Sequence, residues 1–262
     1  MCTIVVLSRI HPDASLVVAA NRDEFYAREA EAPQVLTAET GAVGGRDVKG
    51  GGTWFGATAD GFFVGLTNQR TFRGADPSLS SRGEIAIEAL RCGTVAAVRN
   101  LLDSLDPSQY NPFNLIYGDP RGVEVAYART EAVKVQREAL PEGVHVLTND
   151  RLGSKEFPKA QRAEALSGPV LDASGATLWE PVRILLSDHA VPPLGQLEPP
   201  PADSLFNLAL VQALQALCIH TPTYGTRSAT ALVANDAGLV DFRFADGAPC
   251  QAPLESAMHL FR

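Results

Sequence analysis

Cys2-Thr3-Ile4-Val5-Val6-Leu7, then Leu16-Val17-Val18-Ala19-Ala20, then abruptly Asn21-Arg22-Asp23-Glu24, is the stretch whose reading decides the fold. Two short apolar runs rich in β-branched residues, joined through His11-Pro12-Asp13, read as a β-hairpin opening the chain. With the reversal centred near Pro12, opposed residue numbers sum to about 24, so Cys2 falls across from Asn21, Arg22 and Asp23. Residue 2 is small, so removal of Met1 is expected, which would leave a thiol and a free α-amine on one carbon. An α-amine titrates near ~7.7 to 8.0 and can act as general base for its own side chain. A neighbouring arginine favours the thiolate, and a carboxylate would hold and orient the ammonium. The plain alternative is a small apolar residue starting a buried strand, beside a solvated Arg/Asp pair that contributes little.

Composition bounds the answer. The chain has 262 residues, 45% of them hydrophobic, enough for one sizeable core, and a single domain over 1–262 is expected. Its net charge is −8 and its basic residues are scattered, which argues against nucleic acid as a partner. Cys2, Cys92, Cys218 and Cys250 lie far apart, with no C-x-x-C pair and no Cys/His cluster at zinc spacing. No metal and no disulfide scaffold are therefore expected, and a reducing, cytoplasmic location fits. No apolar run approaches ~18 residues, and no basic region precedes the first one, so neither a membrane span nor a secretory signal is expected.

Further along, Trp54 to Thr58 and Phe62 to Asn68 around Asp60-Gly61 read as a second hairpin. Glu84 to Arg91 and Val95 to Leu105 carry helical spacing. Asn114 to Tyr117, Val123 to Arg129, Val133 to Arg137 and His145 to Asn149 return to strand character. Helices are predicted from Pro158 to Leu166 and from Trp179 to Leu186, then a proline-rich loop over 188–201. A helix is predicted through Leu205, Leu208, Val211, Leu214 and Leu217, capped by Asp203 or Ser204, ahead of strands Ala229 to Ala234 and Leu239 to Phe244. Strands, then helices, then strands describe an α+β chain.

Cys2 with Ala20-Asn21-Arg22-Asp23-Glu24-Phe25-Tyr26-Ala27-Arg28, Gly51-Gly52-Thr53-Trp54-Phe55-Gly56, Leu66-Thr67-Asn68, Phe113-Asn114-Leu115 and Tyr224-Gly225-Thr226-Arg227 resembles the NRDE family, also called the transport and Golgi organisation protein 2 family. More distantly, the order of elements is similar to the N-terminal-nucleophile amidases of the choloylglycine hydrolase and penicillin V acylase group. That resemblance implies a four-layer αββα sandwich of two mainly antiparallel sheets covered by helices. It also implies a catalytic set of Cys2, Arg22, Asp23, Asn68, Asn149 and Arg227. The Arg/Asp spacing differs from that group, so Asn21 or Glu24 can take either slot, and Asn68 is displaced by one residue within its element.

Each residue type has a job in amide hydrolysis. Thiolate attack develops charge on oxygen, which amide donors at Asn68 and Asn149 would stabilise on the order of 10²- to 10³-fold each. Arg227 would supply positive potential, and Asp23 would position the amine. Asn21, Glu24, Trp54 and His145 are the substrate-binding candidates, His145 because it shares a strand face with Leu147 and Asn149. Singly, each has an ordinary structural reading as a turn cap, a surface ion pair or a core histidine. Gly50-Gly51-Gly52 lacks the lysine and following helix of a P-loop and reads as a tight turn. A Cys/His dyad with His189 or His220 stays open. The expected activity is hydrolysis of a linear carbon-nitrogen amide, or a thioester, of a small acyl substrate, with no cofactor. The rival, implied by processes associated with the NRDE family, is a haem or acyl-CoA/lipid carrier using the same pocket, with haem as a cofactor ligated by Cys2. Oligomeric state is not legible.

Overall fold

The computed structural model describes residues 2–261. The opening hairpin forms as its sequence demands: β1 (Thr3–His11) pairs antiparallel with β2 (Ala14–Phe25), with Thr3 opposite Asn21 and Ile4 opposite Ala20. Alternation then sorts the side chains. Ile4, Val6, Leu16, Val18 and Ala20 face a second sheet, while Val5, Leu7, Val17 and Ala19 face a layer of helices.

The second sheet is a seven-stranded antiparallel meander. Its strands are β3 (Ala30–Val35), β4 (Val43–Asp47), β5 (Phe55–Ala57), β6 (Phe63–Asn68), β7 (Phe113–Asp119), β8 (Gly122–Ala128) and β9 (Gln136–Leu140). The six-stranded first sheet adds β10 (Gly143–Leu147), β11 (Tyr224–Asn235), β12 (Gly238–Ala245) and β13 (Glu255–Ser256), in the order β10-β1-β2-β11-β12-β13. Phe55, Phe63, Ile116, Val125 and Phe242 fill the space between the sheets. Each such large side chain contributes about 1.5–3 kcal/mol when fully buried.

Helices cover both outer faces. α1 (Arg82–Cys92) and α2 (Val95–Asp103) pack Ile85, Leu90, Val98 and Leu102 on Val64, Leu66 and Leu115. α3 (Pro158–Ala165), α4 (Gly168–Asp172) and α5 (Trp179–Leu186) bring Ala163, Val170, Val182 and Leu185 onto the other sheet. The result is the α+β, four-layer αββα sandwich expected. No helix among the described residues is long and apolar enough to cross a membrane.

Two predicted elements need correction. The helix expected from Leu205 to Leu217 is only α6 (Leu208–Ala213), because Asn207 rather than Asp203 or Ser204 caps it through the Leu210 amide, and Leu205 is 71% exposed. At its far end the amides of Leu217 and Cys218 both donate to the Asp188 carbonyl at 3.1 and 2.9 Å, which takes them out of any helical ladder. The strand placed at Val133 to Arg137 lies about three residues later, where pairing of Val123 with Leu140 fixes its register against β8. The strands β3 and β4 were not foreseen: β3 is a mostly exposed edge containing Pro33 and carries little pattern.

Candidate active site

Beyond its last buried apolar residue, the hairpin delivers polar groups to both sides of the first sheet. Asn21 and Asp23 follow the parity of Val17 and Ala19, toward the helices. Arg22 follows Ala20 toward the second sheet, where its guanidinium lies 4.3 Å above the Trp54 ring. Cys2, half-buried and carrying a free thiol, lies ahead of Thr3 at this same end. A cleft of about 410 Å³ opens there, lined by Cys2, Arg22, Asp23, Glu24, Trp54 and Asn68, together with Arg28, Asp47 and Arg82.

The cleft's far wall depends on glycine. Asp47 accepts from the Gly50 amide through its side chain and from the Gly51 amide through its carbonyl, closing a turn in which Gly51 has φ +69°. A β-carbon on Gly52 would sit 2.1 Å from the Gly83 carbonyl carbon, so only glycine lets this turn press against the start of α1 and aim Arg82 into the cleft. The turn reading of Gly50-Gly51-Gly52 holds. Arg28 clamps the same Asp47 with contacts of 2.5 to 3.2 Å.

Electrostatics separate the roles. Burial pushes the Cys2 thiol above its ordinary value and the Asp23 carboxylate adds to that push, while the Arg22 guanidinium pulls it down. Burial also raises the Asp23 carboxyl, against the attraction of Lys159 and a 2.6 Å hydrogen bond from the Thr226 hydroxyl. Lys159, on the first turn of α3, is 1% exposed, and its ammonium has no hydrogen-bond partner among the described residues. Burial lowers its pKa, and the negative charges of Asp23 and of a Cys2 thiolate oppose that shift. Sequence reasoning missed Lys159. Its one available signal was a lysine on the helix face shared with Ala163, where an apolar residue belongs.

Two Leu-Thr-Asn elements, one from each sheet, meet beside the cleft. Thr67 donates to the Thr148 carbonyl at 2.6 Å, and the Asn149 amide donates to the Asn68 carbonyl at 2.6 Å. Asn114 joins them by donating to the Thr67 hydroxyl at 3.0 Å. Asn68 lines both the cleft and an adjoining groove of about 340 Å³, and Asn149 lines the groove. Phe25, Phe72, Leu205, Phe206, Leu210 and Tyr224 make that groove largely apolar.

Three predicted residues stand elsewhere. Asn21 turns its amide to the Leu186 and Leu217 carbonyls, both at 2.8 Å, and is 1% exposed, so it ties the helical layer to β2 and is not placed to contact substrate. Arg227 sits at an irregularity where the β11–β2 register shifts between Thr226 and Ser228; it donates to the Tyr26 carbonyl and lies outside the cleft lining. His145, in the middle of edge strand β10, binds the Pro141 carbonyl at 2.8 Å. It shares a strand face with Leu147 as expected, but lines neither the cleft nor the groove. Arg28 and Arg82 line the cleft, and Arg227 does not. A larger hollow of about 960 Å³ lies between hairpin turns at the opposite end of β1, around His11, Asp60, Arg121 and Asp236, and contains no cysteine.

This architecture is an α+β, four-layer αββα sandwich shared with known structures. Two variants of the conjugated bile acid hydrolase from Clostridium perfringens superpose with TM-scores of 0.53 and 0.52, at 12% and 11% identity. They cover 100% and 99% of this chain and 94% and 93% of their own. The chain belongs to the Transport and Golgi organisation 2 family, whose model matches residues 1–244. The Transport and Golgi organization protein 2 homolog of Homo sapiens and its counterpart from Mus musculus are each 28% identical over 243 residues, spanning 87% of this chain and 84% of theirs.

Proposed function

We propose that the protein is a cysteine amidohydrolase that cleaves a linear amide, or a thioester, of a small acyl substrate, with Cys2 as nucleophile once Met1 is removed. Met1 itself lies outside the described residues. The observation that carries this reading is the convergence of Cys2, Arg22, Asp23 and Asn68 on one cleft that continues into an apolar groove. The α-amine of Cys2 would take the thiol proton as sulfur attacks the carbonyl carbon. Oxygen would then carry the charge beside Asn68, which lines the cleft and is braced by Asn149, and in the field of Arg22 and Arg82. Collapse breaks the carbon-nitrogen bond, the ammonium returns its proton to the leaving nitrogen, and an acyl thioester remains on Cys2. Water attacks the thioester with the same amine as base, releasing the acid and restoring the thiol. Asp23 would orient the ammonium, and the groove would hold the acyl chain.

The test combines intact mass with a series of N-acyl amides of increasing chain length bearing a fluorescent amine. Removal of Met1, amine release by wild type, a rate rising with chain length and no release by Cys2→Ala are expected. Retention of Met1, or release unchanged in Cys2→Ala, overturns the mechanism. The apolar groove equally favours a carrier of haem or acyl-CoA/lipid through the same pocket. That reading predicts stoichiometric binding without turnover, and for haem a Soret shift lost in Cys2→Ala.

A further inference from the structure

A second set of reactive side chains lies outside the cleft, in three segments that the fold draws together. His189 opens the proline-rich loop after α5, Cys218 and His220 flank Ile219 ahead of β11, and Cys250 follows β12. One donor atom from each lies within 4.8 Å of every other. We propose that His189, Cys218, His220 and Cys250 form a structural zinc(II) site.

Three of the six donor separations come close to a tetrahedron's edges, and all six lie within 4.8 Å. Cys218 Sγ is 3.6 Å from Cys250 Sγ and 3.6 Å from His220 Nε2, and His220 Nε2 is 3.2 Å from Cys250 Sγ. Bonds of about 2.3 Å to sulfur and about 2.0 Å to nitrogen around one ion require edges of roughly 3.3 to 3.8 Å. His189 supplies the second signature: its Nδ1 lies 2.9 Å from the Cys218 carbonyl, which fixes the tautomer with Nε2 as the free ligand nitrogen. A metal-bound imidazole is ordinarily held this way, by a backbone carbonyl on its other nitrogen. The two imidazole rings stand with centroids 5.1 Å apart and planes at 47°, converging without stacking.

Two thiolates and two imidazoles select zinc among common divalent ions, and four protein ligands leave no open position, so the role is structural. Two thiolate charges also neutralise the ion in a partly buried place. The ligands pin the Asp188 carbonyl to the Leu217 and Cys218 amides, and so pin the loop to the chain entering β11. From there one path reaches the cleft: the Ile219 amide donates to Thr226 Oγ1 at 2.9 Å, and Thr226 Oγ1 donates to Asp23 at 2.6 Å. Zinc would thus stabilise the wall that positions Asp23, without entering any chemical step.

The test uses untagged full-length protein purified from zinc-supplemented medium. Elemental analysis is expected to give one zinc per chain in wild type, Cys2→Ala and Cys92→Ser, and none in Cys218→Ser or Cys250→Ser. Because those serine variants can fail to fold, wild type is also stripped with a chelator and titrated with cobalt(II). Tetrahedral d–d bands and thiolate-to-cobalt charge transfer are expected, saturating at one equivalent and reversed by zinc. Substoichiometric zinc with no cobalt spectrum, or recovery of Cys218 and Cys250 as a disulfide from protein kept under reducing conditions, overturns the proposal.

Discussion

The Cys2 cleft and the His189/Cys218/His220/Cys250 cluster both gather polar, reactive side chains at the edge of the same core, yet they are assembled in opposite ways. The cleft grows from one hairpin, whose register places Cys2 beside Arg22 and Asp23 through pairing of residues near in sequence. The cluster draws on His189, Cys218 with His220, and Cys250, which share no element and meet only because β11 and β12 carry their flanking loops to one place. Hairpin geometry makes the first arrangement local. The second needs every long-range connection of the sheet to be right.

The sharpest way to break the comparison is chemical. Under the nucleophile reading, an acylating probe labels wild type and Cys218→Ser alike and fails completely on Cys2→Ser, as read by intact mass; labelling that follows Cys218 instead would reverse the roles of the two regions. Next comes Asn21, which stands between them. Asn21→Leu leaves the buried Leu186 and Leu217 carbonyls without their donor, and the urea midpoint is expected to fall by the equivalent of about 3 kcal/mol.

Thr226→Val removes the hydroxyl that joins Ile219 to Asp23, with an expected loss of about 2 kcal/mol and a change in the pH profile of Cys2 alkylation. An unchanged profile would show that the two regions are not coupled through this hydroxyl.

Lys159 sharpens the electrostatic side. Its folded pKa lies below its unfolded value near ~10.4, so the native state binds fewer protons than the unfolded chain between those two values. Stability should climb with pH through that window, fall as pH drops through the folded pKa, and lose this slope in Lys159→Met. The same variant removes a charge that interacts with the thiol, so the pH midpoint of Cys2 alkylation should rise. The smallest effect is expected from Arg28→Ala. Its contact with Asp47 is about a third exposed, and thermal unfolding should report under about 1 kcal/mol.

Much of this was legible because its determinants are short-range. The two hairpins, α1, α5 and the strands beside Asn114 and Asn149 follow from periodicity and turn residues, and the meeting of Cys2 with Arg22 and Asp23 follows from a register that arithmetic supplies. The failures share a cause. Arg227 was assigned by its order in the chain, but the register shift at β11 sends it to the Tyr26 carbonyl, and Arg82 reaches the cleft because Gly52 and Gly83 touch. The long helix predicted through Leu217 yields to Asp188, a residue remote in sequence. Sequence by itself determined the alternation that makes two faces of each strand, and with it the layered fold and the placement of Cys2, since both depend on neighbours a few residues away. Only the tertiary structure decided that Lys159 is buried beside Asp23, that Asn21 braces helices, and that two cysteines and two histidines converge, because each depends on which distant segment supplies the missing hydrogen bond or charge.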